Sequence, residues 1–178
     1  MPDAGDLMAV VARYQSPLLR YVQRMLDRTD PEAEDIVQEA FVRLHRQVAG
    51  HGAASIKNLT TWLFRVAHNL TIDARRRRSR RKRFPETAVD PDVRPAERAA
   101  NELDALGEVL RREARQVALR ELGLLEEQHR QVVLLKIIQG MTFREVAEVV
   151  GISVSLVNHR LNQGLAELAQ RLRKAGVV

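Results

Sequence analysis

The chain has 178 residues and no cysteine, and aromatic residues make up only 4 % of it. Without cysteine it can form neither disulfides nor thiolate metal sites, and it fits a reducing compartment such as the cytoplasm. Scarce aromatic residues favour helical packing over a β-sandwich, whose strands draw on aromatic and β-branched side chains. Apolar residues still make up 45 % of the chain, which is enough for hydrophobic cores.

Long hydrophobic runs are also missing. Apolar runs such as VVLLKII at 132–138 are far too short to span a bilayer. The opening residues, MPDAGDLMAVVARY, lack the basic start and unbroken apolar stretch of a signal peptide. We therefore expect a soluble, cytoplasmic protein without membrane insertion.

Positive charge is in excess, with a net charge of +6. Eight of the nine residues from Arg75 to Arg83 are basic. This density predicts a polyanionic partner, and by itself it fits either nucleic acid or an anionic membrane surface. A solvated charge run is the third interpretation.

Apolar spacing predicts an all-α fold of two small helical domains joined by a flexible linker, with the domains at 1–84 and 99–178 and the linker at 85–98. The first helix, about 6–27, contains Pro17, which predicts a kink or two shorter helices. A second helix begins at Asp30, a good N-cap. A third runs from about Thr61 into the basic run. Prolines and acidic residues crowd 84–98, as is typical of a linker.

The C-terminal part contains a predicted helix-turn-helix. Thr142 and Glu145 form a capping box before a short helix, and a turn at Gly151 precedes a longer helix capped by Ser153. This arrangement is typical of DNA-binding domains, with the second helix in the major groove. Its outward side chains would be Ser155, His159, Asn162 and Gln163, flanked by Asn158 and Arg160. The alternative is an ordinary helical hairpin.

Two further faces carry polar chemistry. The third helix places Phe64 and His68 among its basic side chains, which suggests stacking on unpaired DNA bases beside phosphate contacts. The second helix presents Asp35, Gln38 and Glu39 on one side, without a partner for acid–base catalysis. We interpret that side as a protein-docking face, although exposed carboxylates are more often simply solvated.

Three segments in order, 30–47 (DPEAEDIVQEAFVRLHRQ), 59–78 (LTTWLFRVAHNLTIDARRRR) and 129–161, resemble the extracytoplasmic-function group of sigma-70 family RNA polymerase sigma factors. The resemblance covers nearly the whole chain. It implies a subunit that directs core polymerase to specific promoters, and an anti-sigma partner is common in this group. No catalytic residue, cofactor or metal is implied.

The resemblance assigns a role to each surface. Core polymerase would bind Asp35, Gln38 and Glu39. The promoter −10 element would be melted and held by Ser55, Lys57, Asn58, Thr60, Arg65, His68, Asn69, Asp73, Arg75 and Arg76. The −35 element would be recognised by Ser153, Ser155, Asn158, His159, Arg160 and Asn162.

The sequence departs from the family's pattern on the last of these surfaces. Positions 158, 163 and 165 are commonly basic in the family and neutral here, which predicts a weak −35 contact with a flattened salt dependence. Gly164 adds an expected helix cost of about 1 kcal/mol relative to alanine. Leu124-Leu125 stands where the family usually has Leu-Pro.

Other function classes fit less well. The five histidines are scattered and form no metal-binding motif, and the sequence contains no phosphate-loop motif. A nuclease or recombinase would need a carboxylate cluster for metal ions, and the sequence does not show one. A stand-alone helix-turn-helix regulator would explain residues 129–172. It would leave the second and third helices without a purpose.

Overall fold

The computed structural model describes residues 6–26, 30–82 and 105–176, and within them the chain forms helices and turns without strands. The α-helices are α1 Leu7–Met25, α2 Glu32–His51, α3 Leu59–Lys82, α4 Ala105–Gly123, α5 Glu127–Val133, α6 Phe143–Val150 and α7 Val154–Lys174. This confirms the all-α expectation. The predicted linker, 85–98, lies outside the described residues.

The first helix is a single helix that continues through Pro17, so the two shorter helices considered for this segment are not found. Its start is capped by the Asp6 carboxylate, which accepts a hydrogen bond from the Ala9 amide at 3.1 Å. The buried residues of this helix are Val10, Tyr14, Leu18, Tyr21, Val22 and Met25. They pack on α2 and α3.

Polar side chains accept hydrogen bonds near the starts of the next two helices as well. The Asp30 carboxylate accepts from the Glu32 amide at 3.0 Å, but the N-cap position of α2 is Pro31, one residue after the predicted Asp30. A short 3-10 turn, Ala53–Ser55, follows α2. Asn58 then accepts from the Thr61 amide at 3.0 Å and starts α3.

One expectation for α3 is wrong. Phe64 is only 2 % exposed, and its ring meets the Tyr21 ring edge-on at 5.6 Å. A helix with one buried stripe would have left Phe64 in solvent. Because α3 packs on α1, α2 and also α6, a wider arc of it is covered.

The predicted helix-turn-helix is present in α6 and α7. Thr142 and Glu145 form the capping box, Gly151 takes a left-handed conformation at φ 74°, and the Ser153 hydroxyl accepts from the Leu156 amide. Ahead of it, α5 continues as a π-helical turn, Leu134–Ile138. None of the helices in the described ranges has the length and apolar character that crossing a bilayer requires.

Helical spacing in the sequence predicts that Val157, Leu161 and Leu165 share the buried face of α7. Val157 and Leu161 are buried, but Leu165 is 38 % exposed. Gly164 is buried instead, and a Cβ there would lie 3.0 Å from atoms of His129 and Val133 on α5. The glycine therefore lets α5 and α7 approach closely.

The two groups of helices pack on each other. We call residues 6–82 the N-terminal module and residues 105–176 the C-terminal module. Buried apolar side chains from both form one cluster, with α3 against α6 and α1 touching α5.

Candidate functional site

The polar side of α2 is open to solvent. Asp35 and Gln38 are exposed, and Glu39 is partly exposed and pairs with Arg43 at 2.9 Å. The opposite side of α2 is buried against α1 and α3. The structure thus brings the three predicted docking residues together on one accessible face.

The start of α2 is tied to the basic end of α3. Arg77 donates to the Glu32 carboxylate at 2.7 Å, and Arg78 donates to the Asp30 carboxylate, whose side chain is only 4 % exposed. Two of the basic residues therefore have acidic partners within their own module. The polar face of α2 and the basic face of α3 belong to one packed unit.

Four of the predicted −10 residues on α3, His68, Asn69, Asp73 and Arg76, line one side of an open cleft. Asn69, Asp73 and Arg76 are exposed there, and Arg160 of α7 lines the same cleft from the C-terminal module. Arg65 and Arg75 are partly exposed, with side-chain exposures of 41 % and 30 %. Cationic and amide side chains along one helix can hold a phosphate backbone.

His68 is placed differently from the expectation of base stacking. It is 5 % exposed, and its Nδ1 lies 2.8 Å from the Tyr21 hydroxyl. Burial lowers the pKa of His68 to about 4, so its ring is neutral at pH 7. Burial likewise raises the pKa of Tyr21, which keeps its proton. In this arrangement the pair fixes α3 against α1.

The loop before α3 has mixed roles. The Ser55 hydroxyl donates to the Gly52 carbonyl at 2.7 Å, Thr60 Oγ1 lies 2.8 Å from the Tyr14 hydroxyl, and Asn58 caps α3. Lys57 is exposed. These contacts fix the shape of the loop and present the lysine at its surface.

The predicted −35 residues lie on the outer side of α7. Ser155, Asn158, His159 and Asn162 are exposed, and Arg160 is half-buried toward the cleft. Ser153 is exposed but serves the helix start, and its Oγ lies 3.1 Å from that of Ser155. The exposed set carries amides, a hydroxyl and one imidazole.

Sequence reasoning missed a network that joins α5 to α7. His129 Nδ1 lies 3.2 Å from the Glu167 carboxylate, and its Nε2 lies 3.2 Å from the Gln163 side-chain oxygen. Arg171 also donates to Glu167 at 3.2 Å. Burial raises the pKa of Glu167, but the bonds from His129 and Arg171 outweigh it and leave that pKa low. The paired residues are 34 and 38 positions apart, beyond any periodic pattern.

No set of three histidine, aspartate or glutamate side chains within the described ranges is arranged to hold a metal ion. What the surface offers is a carboxylate-rich face on α2, a basic and amide-rich face on α3, and a neutral polar face on α7. Faces with this chemistry can in general bind a protein or a nucleic acid.

Known proteins resemble the chain along both modules. The family model described as Sigma-70 region 2 matches residues 10–81, and Sigma-70, region 4 matches residues 115–168. The ECF RNA polymerase sigma factor SigW of Bacillus subtilis (strain 168) is 30 % identical, over 96 % of this chain and 91 % of that protein. SigL of Mycobacterium tuberculosis is also 30 % identical, over 98 % of this chain and 93 % of that protein.

Two solved structures share the fold. One is the sigma factor RpoE in complex with the anti-sigma factor NepR from Bartonella quintana, with a TM-score of 0.72, 18 % identity and coverage of 94 % of this chain and 97 % of that chain. The other is CnrH in complex with the cytosolic domain of CnrY, with a TM-score of 0.63, 23 % identity and coverage of 97 % and 93 %. Because both region models match and relatives at 30 % identity align over nearly the whole length, this chain belongs to the extracytoplasmic-function group of sigma-70 family RNA polymerase sigma factors, non-enzymatic subunits that direct promoter-specific transcription initiation.

Proposed function

We propose that the two predicted domains divide initiation between them. The first, 1–84, docks on core polymerase through Asp35, Gln38 and Glu39 of α2, and melts and holds the −10 element with α3 and the loop before it. The second, 99–178, contacts the −35 element through α7. The observation that supports this proposal most directly is the packing of α2 and α3 as one unit, with exposed carboxylate and amide side chains on α2 and exposed cationic and amide side chains on α3.

The exposure and hydrogen bonds of individual side chains divide the proposed −10 residues into those that contact DNA and those that shape the surface. We assign direct contacts with the opened strand to Lys57, Asn58, Arg65, Asn69, Asp73, Arg75 and Arg76. Ser55, Thr60 and His68 shape that surface through their bonds to Gly52, Tyr14 and Tyr21. Cationic side chains grip phosphates, and the amides of Asn58 and Asn69 hydrogen-bond base edges.

The −35 surface is proposed as a duplex contact of low charge. Ser155, Asn158, His159 and Asn162 face outward and offer hydrogen bonds to base edges, with Arg160 at the margin and Ser153 holding the helix start. Few phosphate contacts mean that docking on polymerase supplies much of the promoter affinity.

We also propose an anti-sigma partner and a cytoplasmic location. Both of these structures are complexes with a second protein, and in one of them a sigma factor is bound to a protein named as an anti-sigma factor. A transcription subunit works where the polymerase and the chromosome are, and a chain without cysteine suits that reducing compartment.

Run-off transcription with purified core polymerase tests the proposed function. We expect promoter-dependent transcripts only when the chain and core are combined. A stand-alone regulator would bind duplex operator without core, and absence of core-dependent initiation on all promoters of the source genome would contradict the proposal.

A charge reversal tests the docking face. We expect Asp35→Lys to weaken core binding by about 2 kcal/mol, roughly thirtyfold in Kd, because it opposes the charge complementarity of the interface. Glu39→Lys should weaken binding in the same direction. The control is Glu113→Lys on α4, the same reversal at an exposed carboxylate of the other module. A pull-down or fluorescence titration with core measures both, and equal affinities would contradict the assignment.

A further inference from the structure

The imidazole of His129 on α5 lies against α7 at the notch that Gly164 leaves. A Cβ added to Gly164 would lie 3.0 Å from the His129 Cβ, so only glycine admits the ring this closely. The His129 side chain is 12 % exposed. Its Nδ1 lies 3.2 Å from Glu167 Oε2, and its Nε2 lies 3.2 Å from Gln163 Oε1. Both ring nitrogens therefore have partners on α7, which fix the orientation of the ring.

The Glu167 carboxylate decides which ring nitrogen always carries a hydrogen. An ionised carboxylate can only accept hydrogen bonds, so Nδ1 of His129 must donate to Oε2. Arg171 donates to the other oxygen, Oε1, from both Nε and Nη2 at 3.2 Å, which holds the carboxylate in place. A neutral His129 therefore has its hydrogen on Nδ1 and a lone pair on Nε2, facing Gln163.

The side-chain amide of Gln163 must match the charge of His129. Beside a neutral ring, Nε2 accepts from the Gln163 NH2 group, and the carbonyl oxygen of that amide faces outward. Beside a protonated ring, Nε2 donates to the carbonyl oxygen, which is the orientation in the structure, and the NH2 group faces outward. The two arrangements differ by a half-turn of the terminal amide.

His129 is surrounded by charged side chains that do not change state near neutral pH. Its Nδ1 lies 4.0 Å from the Glu126 carboxylate at the start of α5, and Glu167 is paired with Arg171 on α7. Carboxylates and guanidinium groups keep their charge near neutral pH, whereas an imidazole ordinarily gains or loses its charge there. The other charged side chains that line the pocket beside Glu167 and Arg171 are Arg120, Glu121 and Lys174.

We propose that His129 is a positioning residue for promoter recognition, because its bond to Gln163 sets whether α7 presents an amide donor or a carbonyl acceptor to DNA. Gln163 is exposed, follows Asn162 and lies one helical turn after His159, and both of these belong to the proposed −35 surface. The inference rests on the proposed function for the contact between α7 and the −35 element.

The group on DNA that Gln163 meets is a phosphate. In a helix-turn-helix the first residues of the recognition helix reach the base edges, and Gln163 lies well after the start of α7 at Val154. Phosphate oxygens only accept, so they bond to an outward NH2 group and repel an outward carbonyl oxygen. A protonated His129 therefore adds a phosphate contact at a position that has no charge of its own.

Nitrogen NMR of the full chain tests the link between the two side chains. We expect Nδ1 of His129 to keep its hydrogen throughout the titration of the ring, and Nε2 to lose its hydrogen as the pH rises. The side-chain amide resonances of Gln163 should shift with the same midpoint as His129. In His129→Phe, which keeps a ring against Gly164, that shift should be absent. His129→Gln, which keeps a polar side chain but cannot titrate, gives the same comparison if the phenylalanine variant does not fold.

Promoter binding by the holoenzyme tests the consequence for DNA. The two pH values lie on either side of the midpoint measured for His129. We expect Gln163→Ala to weaken binding about fivefold at the lower pH, as the loss of one hydrogen bond does, and about twofold or less at the higher pH. Both proteins retain His159, so its own titration cancels from the ratio. Gln170→Ala, at an exposed position later in α7, is the control and should change affinity by about twofold or less at both pH values.

Two outcomes would overturn the inference. One is a Gln163 amide that does not follow the charge of His129, a result that involves no DNA. The other is an effect of Gln163→Ala that is equal at both pH values, or that keeps its pH dependence in His129→Phe. A promoter fragment with a scrambled −35 element tests the proposed function separately. Equal affinity for the intact and scrambled fragments would contradict the role of α7, whatever the amide of Gln163 does.

Discussion

His68 and Tyr21 show how a single buried pair can link pH to folding. The imidazole keeps a pKa near 4 because it is buried, whereas an unfolded chain would have a pKa near 6.5. Between these values the unfolded chain binds a proton that the folded protein does not. Stability from this group is therefore complete above about pH 6.5 and is lost as the pH falls toward 4.

The pH dependence gives a test at the residue scale. From pH 6.5 to pH 5 we expect the free energy of unfolding to fall by about 2 kcal/mol through His68. His68→Asn should flatten this part of the curve, whereas His45→Asn, the same change at an exposed histidine of α2, should not. Urea unfolding at a series of pH values measures all three proteins. Equal slopes for the parent and His68→Asn would contradict the assignment.

The carboxylates of Glu145 and Glu167 make the free energy of unfolding depend on pH in a lower range than His68 does. Hydrogen bonds lower the pKa of Glu145, above all the one from the Thr142 amide, and burial only partly opposes them. Stability from such carboxylates is present above their unfolded pKa and is lost as the pH falls through the folded value. Keeping the His68 measurement at pH 5 and above separates the two effects.

Helix α7 shows why the effect of a residue on stability cannot be predicted from its helix propensity alone. Glycine inside a helix costs about 1 kcal/mol relative to alanine, which marked Gly164 as a weakness. In the structure, an added Cβ would lie 3.0 Å from the His129 Cβ and from Val133 Cγ2. The glycine thus belongs to the contact between α5 and α7, beside the bonds of His129 to Gln163 and Glu167.

A substitution at this glycine tests the packing. We expect Gly164→Ala to destabilise the protein by about 1 kcal/mol, because overpacking outweighs the gain in helix propensity. Ala169→Gly, at an exposed position of the same helix, measures the propensity contribution and should also cost about 1 kcal/mol. Denaturant unfolding gives both values. A more stable Gly164→Ala protein would contradict the packing argument.

The elements could be predicted from the sequence where their determinants are local. The Thr142–Glu145 capping box and Ser153 fix the starts of α6 and α7 as predicted. Asp30 accepts from the Glu32 amide one residue ahead of the N-cap position of α2. Burial was predicted less well. Phe64 and Leu165 were assigned to the wrong environments because a helical wheel assumes one buried side and does not include the helices that pack around it.

At the scale of the whole molecule, part of the positive charge is already paired with acidic side chains of the same chain. The basic run lies at the end of α3, but Arg75, Arg77 and Arg78 already have acidic partners within the chain. Two of the contacts between the modules, Arg65–Glu148 and Asn58–Glu145, join residues 83 and 87 positions apart, and no periodicity or motif predicts such pairs. Composition therefore predicted a polyanionic partner, but could not predict that carboxylates of the same chain would occupy part of that surface.

The neutral surface of α7 leads to a prediction for the assembled holoenzyme. We expect Asn158→Lys to strengthen binding to promoter DNA and to steepen its salt dependence by about one unit of logarithmic slope, as one added phosphate contact does. Gln170→Lys adds the same charge at an exposed position of the last turns of α7 and should leave the slope nearly unchanged. Filter binding over a salt series measures both. Equal slopes for the two variants would place position 158 away from the DNA.

Glu145 divides its two oxygens between two tasks. Oε2 accepts from the Thr142 amide and hydroxyl and completes the cap of α6, while Oε1 accepts from Asn58 in the other module. Losing Asn58 therefore leaves the cap in place. Asn58 and Glu145 can therefore part and meet again by a rigid-body motion of the modules, on the microsecond-to-millisecond timescale, while the start of α6 stays capped.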